Sequence, residues 1–178
     1  QQSSSAASDV YKRQNLPTPE DCEKNPKSPY AWQKSACEDA AKLFCKLYKD
    51  SDIVSLRYFN VFGPNQYGDS PYSTAVSAWC HATKHKLQCR SDGDGTQSRD
   101  MCYVDNVVDA NILASKVERR WLGECFNIAC DDAVTNNEIL TYFIDNFESK
   151  IRSAPWRPGD VMHTRADVSK AKEAFGYT

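Results

Sequence analysis

The sequence predicts an α/β fold, and three observations carry that expectation. Helical apolar spacing beginning near Ser28 runs into a short β-branched stretch at 53–56; a second helix-then-strand succession ends near residue 129; and a helix start signal follows at Thr135. Taken in order, Ser28-Pro29 supplies an N-cap residue and a proline at the first helical position. Cys37, Ala40, Ala41, Phe44 and Tyr48 then recur at helical spacing, which predicts a helix over 29–49 with that stripe inward. Asp50-Ser51-Asp52 breaks it. Ile53-Val54-Ser55-Leu56 reads as a buried strand that delivers Arg57, Tyr58, Phe59 and Asn60 at its end.

Residues 64–71 are polar and turn-rich and read as a loop, 72–87 as a helix, and 88–91 as a short strand before the turn Asp92-Gly93-Asp94-Gly95. Asp105 is placed to cap a helix that buries Val107, Ala110, Ala114 and Val117, and 125–129 reads as another strand. Thr135 and Glu138 form a T-x-x-E capping box ahead of a core stripe of Ile139, Leu140, Phe143, Ile144 and Phe147.

A chain of 178 residues buries roughly two-thirds of its unfolded surface, enough for a sizeable core. With 40% apolar and 26% charged residues and a net charge of -2, neither disorder nor a nucleic-acid surface is indicated, so the expected partner is a small molecule. No run approaches the ~18 apolar residues of a membrane span, and the residues after Gln1 do not have the order of a secretory signal, which gives a cytoplasmic expectation. The eight cysteines form no C-x-x-C pair and mostly fall in apolar segments, so reduced, mostly buried thiols are expected. His81 and His85 share a helix face, but no carboxylate or cysteine joins them at ligand spacing, and no metal site is expected.

Chemistry concentrates at Tyr30 and Lys34, four apart at a helix start and so on one face. An ammonium about 6 Å from a phenol at an effective dielectric of about 20 favours the phenolate by roughly 3 kcal/mol, and burial opposes it. A tyrosine in that setting can serve as a general base towards a sugar hydroxyl. The surroundings of the pair are specific. Ser28-Pro29-Tyr30-Ala31-Trp32-Gln33-Lys34 with Glu38, Leu56 to Pro64 (LRYFNVFGP), Asp92 to Asp100 (DGDGTQSRD) with Tyr103-Val104-Asp105, Phe126-Asn127-Ile128, and Arg157-Pro158-Gly159-Asp160-Val161 make five blocks spanning 28–161.

In that order the blocks resemble the extended short-chain dehydrogenase/reductases, within them the NAD-dependent epimerase/dehydratase family, and most closely its UDP-N-acetylglucosamine 4-epimerases. The resemblance implies the carboxyl-side part of a Rossmann-like fold with the smaller substrate-binding domain. It implies that 15–60 end the NAD-binding domain and that 61–178 are mostly the nucleotide-sugar domain, interleaved with the last Rossmann strand and short at the carboxyl end. It further implies Tyr30 as base, Lys34 holding the nicotinamide ribose, Tyr58 at the nicotinamide end, and Asn60, Arg99 and Arg157 on the substrate diphosphate. Asp160 would accept a ribose hydroxyl, and Thr164 would stand beside the sugar's C2 substituent, where a small side chain admits an N-acetyl group. Arg90 falls where related proteins place an aromatic ring against uracil. NAD as cofactor, a UDP-sugar as substrate and a homodimer of the intact protein complete the expectation. The alternatives are a nucleotide-sugar 4,6-dehydratase or decarboxylase, or a non-catalytic nucleotide-sugar-binding fragment.

Two departures bear on the amino-terminal side. No G-x-x-G-x-x-G loop for a dinucleotide phosphate occurs in the sequence, so the chain itself is expected to be inactive. Ser5 stands at the family's serine spacing from Tyr30, but SSAASDVYKRQ at 4–14 is also, residue for residue, one translation of a transposase-type sequencing-library adapter. Residues 1–14 are therefore expected to be a non-native leader, with native sequence from near Asn15.

Overall fold

A computed structural model describes residues 16–26, 28–70, 73–157 and 160–178. Ser5 and the adapter-like stretch lie outside the described residues, as do Pro158 and Gly159. The first helix, α1 (Pro29–Leu47), starts where its cap dictates, with the Ser28 hydroxyl accepting from Ala31 N at 3.1 Å. Strand β1 (Ser55–Tyr58) follows and pairs in parallel with β6 (Cys125–Ile128), Ser55 opposite Cys125 and Tyr58 opposite Ile128. Between them the chain forms β2 (Val61–Phe62), α2 (Ala75–Lys84), β3 (Cys89–Asp92), β4 (Ser98–Arg99), β5 (Cys102–Tyr103) and α3 (Val104–Lys116). After β6 come β7 (Val134–Thr135), α4 (Asn136–Phe147), β8 (Ile151–Ala154) and α5 (Ser169–Phe175). The pairs β2–β5 and β3–β8 are parallel, and β4–β7 is antiparallel.

Strand alternation sets what β1 carries. Arg57 points to α1, where it meets Glu38, and Tyr58 points the other way, to Asn111 of α3. Around β6 lies the larger core, in which Trp121, Phe126 and Phe175 meet edge-on at centroid distances of 5.2, 6.0 and 5.2 Å, with Phe59 and Ile128 beside them. A second core joins Trp79 and Ala82 of α2, Cys89 of β3, and Leu140 and Phe143 of α4. Residues 16–26 are tied across the end of β6: Asn127 N donates to the Glu20 carboxylate, and Asn127 Nδ2 donates to Thr18 O.

The capping box forms as read, with Thr135 N donating to Glu138 Oε2 at 2.8 Å and Glu138 N donating to Thr135 Oγ1 at 3.2 Å. Thr135→Ala is expected to lower stability by about 1 kcal/mol, measured by urea unfolding, because the first turn loses its side-chain acceptor.

Several expectations are corrected. Helix α1 turns a neighbouring face inward: of the apolar stripe only Ala41 is buried, with Ala31, Ser35, Glu38 and Cys45, whereas Cys37, Ala40, Phe44 and Tyr48 are exposed. The reason is Arg57, whose guanidinium lies under α1 and draws Glu38 inward. Residues 53–56 are half-buried rather than buried, because β1 has a partner strand on one side only among the described residues. Helix α2 begins after Thr74 and ends at Lys84, before Lys86 takes a left-handed φ of 56°. Asp105 is no cap; α3 starts at Val104, which leaves Asp105 in the first turn, where the helix dipole favours a carboxylate. In α3, Ala110 and Ala114 are buried, while Val107 and Val117 pack half-buried against the core. In α4 only Leu140 and Phe143 are buried; Ile139 is half-buried, and Ile144 and Phe147 are exposed. Of the eight cysteines, all free, four are buried (Cys45, Cys89, Cys102, Cys125), so "mostly buried" overstates it.

Candidate functional site

Helix α1 fixes the first pair. With the cap at Ser28, Tyr30 falls in the first turn and Lys34 one turn later, both on the exposed side. The Lys34 ammonium sits 5.3 Å from the centre of the Tyr30 ring, over its face. One further turn along, Glu38 is buried and takes Arg57 through both oxygens, Nε at 2.7 Å and Nη2 at 2.9 Å, with Lys24 at 3.1 Å. Burial works to raise the Glu38 carboxyl, but hydrogen bonds and charge from Arg57 and Lys24 together hold it below the usual range. This ion pair ties α1, the helix that carries Tyr30 and Lys34, to β1. Tyr58 stands on the opposite face of that strand, its hydroxyl exchanging hydrogen bonds with Asn111.

A second group forms where β1 ends. Asn60, nearly buried and with a left-handed φ of 33°, donates from Nδ2 to Asp100 O at 3.0 Å and to Thr164 Oγ1 at 3.2 Å. Thr164 is 3% exposed, and its hydroxyl also accepts from Asp100 N. Beneath them Asp100 is fully buried, its carboxylate accepting from Cys130 N at 2.8 Å and Ala166 N at 3.0 Å. Burial pushes the Asp100 carboxyl above the usual range, and those two backbone donors oppose the shift in part. Nearby, burial pushes the Cys102 thiol up to about 12, which makes it a packing residue rather than a nucleophile.

The third group is cationic. Arg99 Nη2 meets Asp160 Oδ1 at 2.8 Å, while its Nη1 donates to the carbonyls of Ser98 and Met162. Arg157 and Arg90 both reach Asp92, at 2.5 and 2.7 Å. The structure thus brings together Arg99 with Asp160 and Asn60 with Thr164 by direct contact, and Arg90 with Arg157 through Asp92. Asp92, Asp100 and Asn127 are the residues to which the sequence assigned no role. Asp92 and Asp100 sit inside a quoted block, but nothing in the spacing of that block marks their partners.

Among the described residues no group of three or more histidine, cysteine, aspartate or glutamate side chains is arranged to hold a metal ion, and no helix is long and apolar enough to cross a membrane.

Comparison with known proteins decides the family. The model of the NAD dependent epimerase/dehydratase family matches residues 1–129. The chain belongs to that family. A UDP-glucose 4-epimerase of Mycolicibacterium smegmatis is 32% identical over 165 residues, covering 90% of this chain and 51% of that protein. A UDP-N-acetyl-alpha-D-glucosaminuronate decarboxylase of Bacillus cytotoxicus is 26% identical over 180 residues, covering 94% of this chain and 55% of that protein. Among solved structures, a UDP-N-acetylglucosamine 4-epimerase from Methanobrevibacter ruminantium M1, in complex with UDP-N-acetylmuramic acid, superposes with a TM-score of 0.88 at 35% identity. That match covers 99% of this chain and 56% of that one. This member of the epimerase/dehydratase family therefore spans about half the length of the relatives it matches, and its Rossmann-like α/β architecture is theirs.

Proposed function

We propose that this chain is the carboxyl-side part of an NAD-dependent nucleotide-sugar 4-epimerase acting on a UDP-hexose or UDP-N-acetylhexosamine. The observation that carries the reading is the exposed Tyr30 phenol with the Lys34 ammonium 5.3 Å from its ring centre at the start of α1. These two residues fit one end of the cofactor: three ammonium donors can bind ribose hydroxyls while the phenol beside them faces the sugar. Nothing in the sequence supplies the glycine-rich loop for the pyrophosphate end. When bound, NAD supplies the acceptor and donor of the C4 hydride. Tyr30 takes the proton of the C4 hydroxyl and gives it back once the sugar has turned its other face.

The remaining residues bind and orient. Arg99 and Arg157 grip the diphosphate, a task suited to planar guanidinium forks, with Asn60 beside them. Asp160 accepts a ribose hydroxyl, Tyr58 lies towards the nicotinamide end, and Arg90 stands at the nucleotide end. Thr164 enters by size, since its hydroxyl oxygen already accepts from Asn60 Nδ2 and Asp100 N; a small side chain there favours the N-acetylated sugar. The exposed apolar side chains of α1, Trp32, Leu43, Phe44, Leu47 and Tyr48, support pairing of the intact protein through this helix.

Two measurements test the reading. The 178-residue chain is expected to bind UDP in calorimetric titration, which tests the diphosphate ligands; UDP binding without NAD binding favours the non-catalytic reading of the chain taken by itself, which turnover by the extended protein eliminates. The protein extended to the length of its relatives, given NAD and either UDP-N-acetylglucosamine or UDP-glucose, is expected to form the C4 epimer, detected by chromatography. A product that has lost water or carbon dioxide assigns the dehydratase or decarboxylase reading instead, and absence of any turnover leaves the non-catalytic one.

A further inference from the structure

The cationic group holds a carboxylate that the proposed chemistry does not use. Asp92 ends β3, and its backbone is fixed from two sides: it pairs with Ala154 of β8, whose carbonyl also takes Gly93 N at 2.9 Å, and the buried Gln97 donates from Nε2 to Asp92 O at 2.8 Å. The side chain is 11% exposed, and each of its oxygens takes one arginine. Oδ1 accepts from Arg90 Nε at 2.7 Å, and Oδ2 meets Arg157 Nε at 2.5 Å. Both arginine side chains are 40% exposed or more, so the carboxylate is the buried member of the trio and the guanidinia are the exposed ones.

The choice of atom matters. Each guanidinium meets the carboxylate through its Nε, and the further N–H donors of its two Nη groups can serve a phosphate. Two guanidinia on one carboxylate carry a net positive charge, and without that carboxylate they would repel each other and spread over many rotamers. The next turn reinforces the arrangement. Gly93 has a φ of 68°, and a Cβ there would stand 2.5 Å from the Trp156 ring, so the ring lies flush on the turn and brings Arg157, its neighbour in sequence, alongside Asp92.

We propose that Asp92 is a positioning residue for anion binding: a fixed carboxylate that holds Arg90 and Arg157 side by side, so that together they receive the phosphates of a nucleoside diphosphate. The inference rests on the reading of Arg157 as a diphosphate ligand beside Arg99, and it brings Arg90 from the nucleotide end to the same phosphates.

Removing a negative charge next to an anion site should tighten binding if charge alone mattered; loss of positioning should weaken it. The test is calorimetric titration of UDP into the 178-residue chain, with thermal melting of each variant. Asp92→Asn is expected to weaken UDP binding about tenfold, with Asp92→Glu falling between it and the unaltered chain and Arg90→Ala also weaker. Unchanged or tighter binding by Asp92→Asn overturns the proposal. Should that variant melt early, Asp92→Glu decides alone, since it keeps the charge and shifts the carboxylate by one methylene: weaker binding supports positioning, and unaltered binding refutes it. Arg157→Ala separates the two levels of the argument. If it leaves UDP affinity unaltered, or if the unaltered chain binds no UDP, the diphosphate reading itself falls, and the role of Asp92 with it.

Discussion

Tyr30→Phe is expected to lower kcat of the extended protein by about 10²–10⁴-fold while leaving UDP affinity nearly intact. The substitution is informative because of how the ring is held. The Lys34 ammonium lies over the face of the ring, 5.3 Å from its centre, and phenylalanine keeps that face. Lys34 therefore keeps its neighbour, the helix keeps its cap at Ser28, and only the hydroxyl is lost. The loss should appear in kcat and not in the binding of UDP, whose proposed contacts come from Arg99, Arg157 and Asn60. A variant that retains its rate would remove Tyr30 from the chemistry.

Arg57→Ala is expected to cost roughly 3–5 kcal/mol of stability, the usual consequence of leaving one member of a buried ion pair alone. For a chain of this size that corresponds to a fall in Tm of roughly 10 °C, followed by circular dichroism. Arg57 is 6% exposed and is held by both oxygens of Glu38 and by the carbonyl of Glu20, so its removal takes two charge-assisted donors from a buried carboxylate, to which Lys24 remains, and one from a part-buried carbonyl. The pair also has a pH signature. The Glu38 carboxyl is held below its ordinary value, so its contribution is present above about pH 4.3 and fades as the pH falls through the lower folded value. Acidification should therefore narrow the gap between the native protein and Arg57→Ala. A gap that stays constant from neutral pH to pH 3 would show that Arg57 acts by packing alone.

How much of this could be read beforehand depended on how local the cause was. The starts of α1 and α4 are set by Ser28, Pro29, Thr135 and Glu138, all within one turn of the groups they cap, and the sequence locates both. The inward face of α1 is set by Arg57, nineteen positions from Glu38, and apolar periodicity points to the wrong side because the helix carries apolar residues on both. Strands of two residues such as β2, β4, β5 and β7 are too short to show a period, and β8 is too polar to be noticed. In the candidate site, Tyr30, Lys34, Asn60, Arg99, Arg157 and Asp160 are named by the blocks that contain them. Asp100 escapes because its partners, Cys130 and Ala166, stand 30 and 66 positions away. Asp92 escapes for a related reason: Arg90 is close in sequence, but the second guanidinium arrives on the strand–turn that follows β8.

The tie between Asn127 and Thr18 and the one between Asn60 and Thr164 span 109 and 104 positions, and they set the order in which the polypeptide can fold during synthesis. A ribosome delivers residues in sequence at roughly 5–20 per second, so Thr18 and Asn60 leave the exit tunnel several seconds before their partners exist. Long-range closures of this kind form late and slowly compared with helices such as α1 and α4, whose contacts are local. The nascent chain must therefore carry β1 with its partner edge open, and α1 with an ungathered apolar side, until β6 and then the segment around Thr164 emerge. Those seconds are when a chaperone that holds extended apolar segments has most to act on.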